Sequence, residues 1–248
     1  MNYKGFWGKY NFGDALTPII VKEITGKNLI RTKKAYLGTL IGIGSIISRA
    51  EEGCIVWGSG IIIKKDRVNP NADFRAVRGP LSRDRVLECG GDCPEIYGDP
   101  ALLLPRFYQP KVEKKFKLGI FSHYVNYKEA IKKFGNKESI TVINALCKKG
   151  SPLLKVNQIC ECEKIMSSSL HGLIVAQAYG IPAKWIKFSN PLGGDGIKFL
   201  DYFLSTNQKP QTAFKINNNL NIVKLEQEIN QVQIKIDLDK LWKSCPFK

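Results

Sequence analysis

The stretch that most constrains this chain runs Ile165-Met166-Ser167-Ser168-Ser169-Leu170-His171-Gly172 and continues Leu173-Ile174-Val175-Ala176-Gln177-Ala178-Tyr179-Gly180-Ile181-Pro182. A short apolar run ends at Met166 and stops in a serine-rich turn. The turn opens at once into a segment with helical spacing at Leu170, Leu173, Ile174 and Gln177-Ala178. The serines offer N-cap hydroxyls, and Gly180 with Pro182 closes the helix. A strand that feeds a helix this directly leaves the helix N-terminus above the strand's C-terminal end. Free backbone N–H groups and the helix dipole make that point a ready anion site. His171 falls in the first turn, where its imidazole leans over the same space. The plainer alternative is a serine cap beside a surface histidine.

Bulk properties exclude several classes. The 248 residues, 44% hydrophobic and 10% aromatic, suit one large domain or two small ones with a packed core. No apolar run approaches the roughly 20 residues of a membrane span. Met1-Asn2-Tyr3-Lys4 lacks the apolar core of a signal peptide, so a cytoplasmic location is expected. Cysteines stand at 54, 89, 93, 147, 160, 162 and 245, an odd number. Their spacings are not those of structural zinc, and only two histidines exist to complete a site. Reduced thiols and no metal site are expected.

The formal net charge of +16 favours anionic partners: phosphorylated ligands, acidic lipid surfaces or nucleic acid. Lysine is the default cation here, so the crowding of Arg67, Arg75, Arg78, Arg83 and Arg85 is informative. Clustered arginine serves planar, bidentate anion contacts. Basic residues are not gathered on one predicted helix, and no nucleic-acid-binding motif occurs; no nucleic-acid partner is expected.

In chain order, Tyr3 to Trp7 is a strand candidate, and Asp14 is expected to N-cap a helix from Ala15 to Thr25. Cys54 to Trp57 reads as a buried parallel strand, with Gly58-Ser59-Gly60 at its end allowing close approach. Phe74 to Val77 is another strand, and Pro80 opens a helix to about Cys89. That helix end with Arg78 and Arg83 forms a second anion site. Asp99 orients a neighbouring arginine or caps its turn. Pro105 to Lys117 is the expected linker between halves. In the second half, Leu118 to Phe121 is a strand that places His123 at its C-terminal end, where open α/β sheets bind ligands. A helix near Lys128 to Phe134 and a strand at Ile140 to Ile143 follow. After Pro182 come a strand from Ala183 to Phe188, a flexible loop at 190–196 and a helix from Ile197 to Phe203. Gln208 to Asn219 reads as loosely ordered, Val232 to Asp237 as strand or helix, and Asp237 to Trp242 as a terminal helix.

The serine–histidine stretch and Ala178-Tyr179-Gly180-Ile181-Pro182 resemble the C-terminal motif of the polysaccharide pyruvyl transferase family. The resemblance extends over nearly the whole chain: Asn11-Phe12-Gly13-Asp14, Trp57-Gly58-Ser59-Gly60, Ala76 to Arg83, Tyr97 to Pro105, Phe121 to Tyr124 and Gly194 to Phe203. It implies an α/β fold that is GT-B-like, with two Rossmann-like domains facing a cleft. Boundaries are expected at 1–108, 109–205 and a C-terminal extension, 206–248. The implied activity is transfer of pyruvate from phosphoenolpyruvate to a sugar as a ketal, with no cofactor. The implied acceptor is a lipid-linked oligosaccharide or polysaccharide, worked on at the inner membrane surface. His171, His123 and Asp14 are the implied catalytic residues. Arg78, Arg83, Ser167, Ser168, Ser169, Leu170, His171 and Lys198 are the implied donor contacts. Asn11, Gly13, Asp14, Gly58, Ser59, Asp99 and Tyr124 are the implied acceptor or cleft residues. Many members carry an arginine where Ser169 stands, so Arg78, Arg83 or Lys198 must compensate. The alternative reading is a GT-B-type glycosyltransferase using a nucleotide sugar.

Overall fold

Among the described residues, the strands pair in parallel and fall into two sheets of five. The computed structural model describes residues 3–148, 150–189, 192–217, 226–227 and 229–247. Positions 190–191 of the expected loop and 218–219 of the expected polar stretch lie outside these.

The first half contains β1 (Tyr3–Phe6), α1 (Thr17–Thr25), β2 (Leu29–Arg31), β3 (Thr39–Ile41), β4 (Ile55–Trp57), β5 (Asp73–Ala76) and α2 (Pro80–Glu88). The second contains β6 (Phe116–Ser122), α3 (Tyr127–Phe134), β7 (Ile140–Asn144), α4 (Leu153–Cys160), β8 (Cys162–Ser167), α5 (Leu170–Ala178), β9 (Ala183–Lys187), α6 (Ile197–Ser205) and β10 (Phe214–Lys215). The central strands are apolar on both faces, as Leu40, Ile41, Val56 and Ile120 show by their burial, because helices cover both sides of a parallel sheet.

The two sheets repeat one plan. Their orders are β2-β1-β3-β4-β5 and β7-β6-β8-β9-β10, each a 2-1-3-4-5 arrangement counted from its own first strand. In that doubly wound order ligands bind beyond the carboxyl ends of the strands where the order reverses. The reversal lies between β1 and β3 in one sheet and between β6 and β8 in the other. Two Rossmann-like α/β halves are therefore present.

One core cluster runs through both halves. Residues 170–177 of α5 are all buried, and the 3-10 segment Pro100–Arg106 packs against that helix. Ala101 to Leu104 and Leu170 to Ile174 supply the apolar contact. Burying each such leucine contributes about 1.5–3 kcal/mol. A main-chain seam adds to it: Phe12 N donates to Ala145 O at 3.0 Å and Cys147 N to Tyr10 O at 2.8 Å.

The described residues beyond 205 pack against both halves. Phe214–Lys215 pairs with β9 as an edge strand. Val232 to Asp237 forms neither strand nor helix. The chain then returns to the first half as α7 (Leu238–Lys243), whose N-cap Asp237 accepts from Lys240 N. Leu241 is fully buried, and its carbonyl accepts from Trp57 Nε1 at 3.1 Å.

Candidate active site

The loops leaving β1, β3, β6 and β8 enclose a cavity of about 200 Å³ between the halves. The first half brings Asn11, Asp14, Ser45, Ile46 and Ile62; the second brings His123, Tyr124, Ser169, Leu170, His171 and Lys198. One wall is the N-terminus of α5. Its N-cap, Ser169, is extended and makes no side-chain cap bond, so the first-turn N–H groups stay open for a ligand. The expected serine capping is replaced by bracing. Ser167 Oγ accepts from Ser169 N at 3.1 Å and donates back to Ser169 O at 2.6 Å. Ser168 Oγ accepts from His123 N at 3.0 Å, tying the β8 loop to the β6 loop. Ser167 and Ser168 are fully buried and lie behind the cavity wall.

His171 is the hub. A side chain at Gly13 would overlap its imidazole, so the β1 loop lies directly against the ring. His171 Nε2 is 3.3 Å from Asp99 Oδ2, and neither buried atom has an aligned hydrogen-bond partner. Asp99 Oδ1 accepts from Ala101 N at 3.0 Å. Of the two roles expected for Asp99, it takes the cap, and its free oxygen faces a histidine instead of an arginine. Asp14 differs from expectation. A 3-10 turn, Asp14–Leu16, precedes α1, and the Asp14 side chain caps neither. It folds back to accept from Gly8 N at 3.0 Å. Burial pushes the Asp14 carboxyl up to about 6; the charge of His171 and the Gly8 N–H oppose this, and Asp99 adds to it.

His123 and Lys198 complete the polar lining. His123 Nδ1 accepts from Val125 N at 3.4 Å, leaving Nε2 as the protonated nitrogen of a neutral ring. Burial, then the charge of Lys198, lowers His123 to about 4. Its ring sits 4.1 Å from that of Tyr124, which is half exposed at the mouth. Lys198 projects from α6; burial, then Arg78, lowers its ammonium to about 8, against the pull of Asp14. Among the described residues no carboxylate forms an ion pair with it.

Two expected donor contacts lie elsewhere. Arg78 is fully buried: its Nε donates to Asp201 Oδ2 at 3.0 Å, its Nη1 to Ser45 Oγ at 2.7 Å and its Nη2 to Ile61 O at 2.6 Å. Asp201, on α6, also accepts from Ser82 N and Ser82 Oγ. Arg78 is thus a bridge between the halves and reaches the cavity only through Ser45. Arg83 turns away, donating to Cys93 O at 2.9 Å and pairing with Glu95. Gly58 and Ser59 do not line the cavity; Ser59 Oγ donates to Gly44 O at 2.9 Å and shapes the β3 loop. Sequence reasoning missed Ser45, Ile46, Ile62 and Asp201. The glycine punctuation at Gly42 and Gly44 was the available signal for the first two. Burial raises the Cys93 and Cys162 thiols to about 12, which removes them as nucleophiles near neutral pH.

A family model described as polysaccharide pyruvyl transferase matches residues 11–190. The chain is 28% identical over 188 residues to an uncharacterized protein, L143, of Acanthamoeba polyphaga mimivirus, covering 73% of this chain and 66% of that one. It is 28% identical over 175 residues to the succinoglycan biosynthesis protein ExoV of Rhizobium meliloti, covering 66% of this chain and 52% of ExoV. The chain therefore spans between half and two thirds of the length of these curated relatives. A solved structure of a functionally uncharacterized protein from Klebsiella pneumoniae superposes with a TM-score of 0.50 at 13% identity, covering 82% of this chain and 87% of that chain. That likeness concerns the fold alone.

Proposed function

The chain belongs to the polysaccharide pyruvyl transferase family, and from that premise we propose that it moves pyruvate from phosphoenolpyruvate onto two hydroxyls of a surface-polysaccharide sugar, as a ketal. The observation that carries this reading is a convergence at one small cavity. An uncapped helix N-terminus, the Lys198 ammonium, Asp14 and His171 all face it. A three-carbon phosphoester with a carboxylate suits such a site. A cavity of about 200 Å³ falls short of the ~300–1,000 Å³ typical of drug-sized ligands. By its own volume alone it suits a nucleotide sugar, the donor of a GT-B glycosyltransferase, less well.

In this reading the donor's phosphate and carboxylate lie at the α5 N-terminus and Lys198, and neutral His123 donates its Nε2–H to a donor oxygen. His171 delivers a proton to C3 of the enol, which makes C2 electrophilic. One sugar hydroxyl adds to C2 and passes its proton to Asp14. The C2–O bond to phosphate breaks, and the second hydroxyl closes the ketal on the same carbon. One hydroxyl proton makes up for the proton placed on the methyl group, and the other leaves with phosphate. The exchange is redox-neutral and asks for an acid, a base and cations. The two halves, 1–108 and 109–205, act as GT-B-like domains facing the cleft.

The acceptor is a lipid-linked chain presented at the inner membrane surface. The +16 charge supports this, since each Lys or Arg near an anionic leaflet contributes about 1 kcal/mol. Among the described residues no helix is long and apolar enough to cross a membrane, so attachment is peripheral in this reading.

The test is thermal stabilisation by phosphoenolpyruvate, UDP and UDP-sugars, with phosphate release measured in the presence of acceptor glycan. Stabilisation by phosphoenolpyruvate alone is the expected result. Stabilisation by UDP without any response to phosphoenolpyruvate would replace this reading with the glycosyltransferase one.

A further inference from the structure

Beyond the catalytic cavity, two further hollows continue along the second half. The first, about 160 Å³, shares Lys198 with the catalytic cavity and is lined by Trp185, Lys187, Phe188, Gly193 and Gly194 among others. The next, about 520 Å³, shares Trp185, Lys187 and Gly196 with the first and extends to Lys64, Gln211 and Thr212. Through these shared residues the three hollows adjoin one another, and the two outer ones form a trough beside the catalytic cavity. A phosphoenolpyruvate filling the first cavity leaves the rest unoccupied, and the outer hollow lies within the ~300–1,000 Å³ range of larger ligands.

The trough has a fixed aromatic wall and an open glycine rim. Trp185 stacks on Phe199, with centroids 4.1 Å apart and planes 11° from parallel. The Lys187 ammonium lies 4.9 Å from the Trp185 ring centroid, over its face. The glycine loop is pinned to the first half, since Lys64 N donates to Asp195 Oδ2 at 2.9 Å. A side chain at Gly194 would press on the carbonyl of Ile62, which borders the catalytic cavity. The loop carboxylate also accepts from Ile197 N at 3.0 Å, so Asp195 is engaged on both oxygens. Among the described residues, Lys64, Lys187 and Lys198 line the trough against one carboxylate, Asp195.

We propose that this trough is the acceptor subsite and that it takes an oligosaccharide carrying an anionic group. The assignment of the trough to the acceptor rests on the pyruvyl-transfer reading above. Side-chain amide, hydroxyl and main-chain groups, among them those of Gln211 and Thr212, meet the sugar hydroxyls, and the buried Trp185–Phe199 stack fixes the wall behind them. Three lysines against one carboxylate favour an acidic glycan over a neutral one. Lys198, which lines both the trough and the catalytic cavity, marks the end at which the terminal sugar meets the reacting carbon.

The test uses the full chain with tetragalacturonate as an acidic probe and maltotetraose as a neutral one, by calorimetry at low salt. Two variants probe the wall. Lys187→Glu reverses an exposed charge. Gly193→Phe fills the trough at a position whose added Cβ would have nothing within 4 Å. The acidic tetramer should bind wild type at least about tenfold more tightly than the neutral one, and each variant should lose about tenfold or more. Melting temperature and phosphoenolpyruvate affinity should not move in either variant. Wild-type affinity in both variants, or no binding of the acidic tetramer at millimolar concentration, would overturn the proposal. Displacement of the tetramer by UDP would overturn it in favour of a nucleotide site. If the tetramer binds as expected while phosphoenolpyruvate does not bind at all, the glycan trough stands and the donor assignment falls.

Discussion

Gly13 lies so close to His171 that its missing side chain is what gives the imidazole its place. Gly13 has φ −62°, so alanine there meets no backbone strain, and the obstruction is the ring alone. Gly13→Ala should therefore displace His171 and reduce phosphate release from phosphoenolpyruvate by about 10²-fold or more, the scale of a lost acid–base group. The same change in a His171→Ala background should add no further loss of melting temperature. A double-mutant cycle of melting curves and turnover checks this, and additive effects on both would separate the two residues.

His171→Ala should lose about 10²–10⁴ in turnover while the protein stays folded. His123→Ala should also be damaging, with its larger effect on the KM for phosphoenolpyruvate. Near wild-type turnover in His171→Ala, or its collapse to an unfolded chain, would remove the catalytic role.

Asp14 gives a pH signature in stability. Its carboxyl titrates at about 6 when folded against 3.8 for the free group, so the folded state holds the proton more tightly. The penalty for burying its charge is absent below pH 3.8, grows from there, and is complete above about pH 6. Its full size is on the order of 2–3 kcal/mol. Asp14→Asn should therefore melt higher than wild type at pH 8, match it at pH 3.5, and lose turnover at both. Chemical denaturation across that range reads the difference directly.

Lys198 gives a signature in binding. Its ammonium discharges at about 8, so affinity for phosphoenolpyruvate should fall as pH rises through that value. Lys198→Arg keeps its charge at higher pH and should move the alkaline limb upward. Lys198→Ala should raise the KM for phosphoenolpyruvate and flatten the limb. An unchanged pH profile in the alanine variant would exclude Lys198 from the donor site.

Arg78 should behave as a structural residue. Arg78→Ala leaves Asp201 buried without its counter-charge, a loss of about 3–5 kcal/mol. Urea unfolding should show that loss. Arg83→Ala, at a side chain that faces Cys93 and Glu95, should leave the KM for phosphoenolpyruvate unchanged.

These outcomes mark what the residue pattern can and cannot convey. Period, glycine breaks and apolar runs located β1, β4, β5, β6, β7, α2 and α5 to within a residue or two, because each is a local decision. The serine turn also led to α5 and to the cavity it walls. The wiring of the serines was not legible, since their partners, Phe121 O and His123 N, lie some 45 residues away in sequence. Arg78 and Arg83 look alike as basic residues at a helix start. Only the arrival of Asp201 from the other half, 123 positions on, tells a buried bridge from a local surface pair such as Arg83 with Glu95. Asp14 followed the same rule: a capping residue by type, it was redirected to Gly8 by a 3-10 turn that no local pattern announces.

The return of α7 to Trp57 makes the first half discontinuous along the chain. Its sheet is complete by Ala76, yet the indole N–H of Trp57 finds its acceptors at Leu241 O and Ser244 Oγ. Synthesis proceeds at about 5–20 residues per second, so the first half waits on the order of ten seconds for its last element. A ribosome-bound chain stopped short of α7 leaves the Trp57 indole N–H without the acceptors it has in the finished fold.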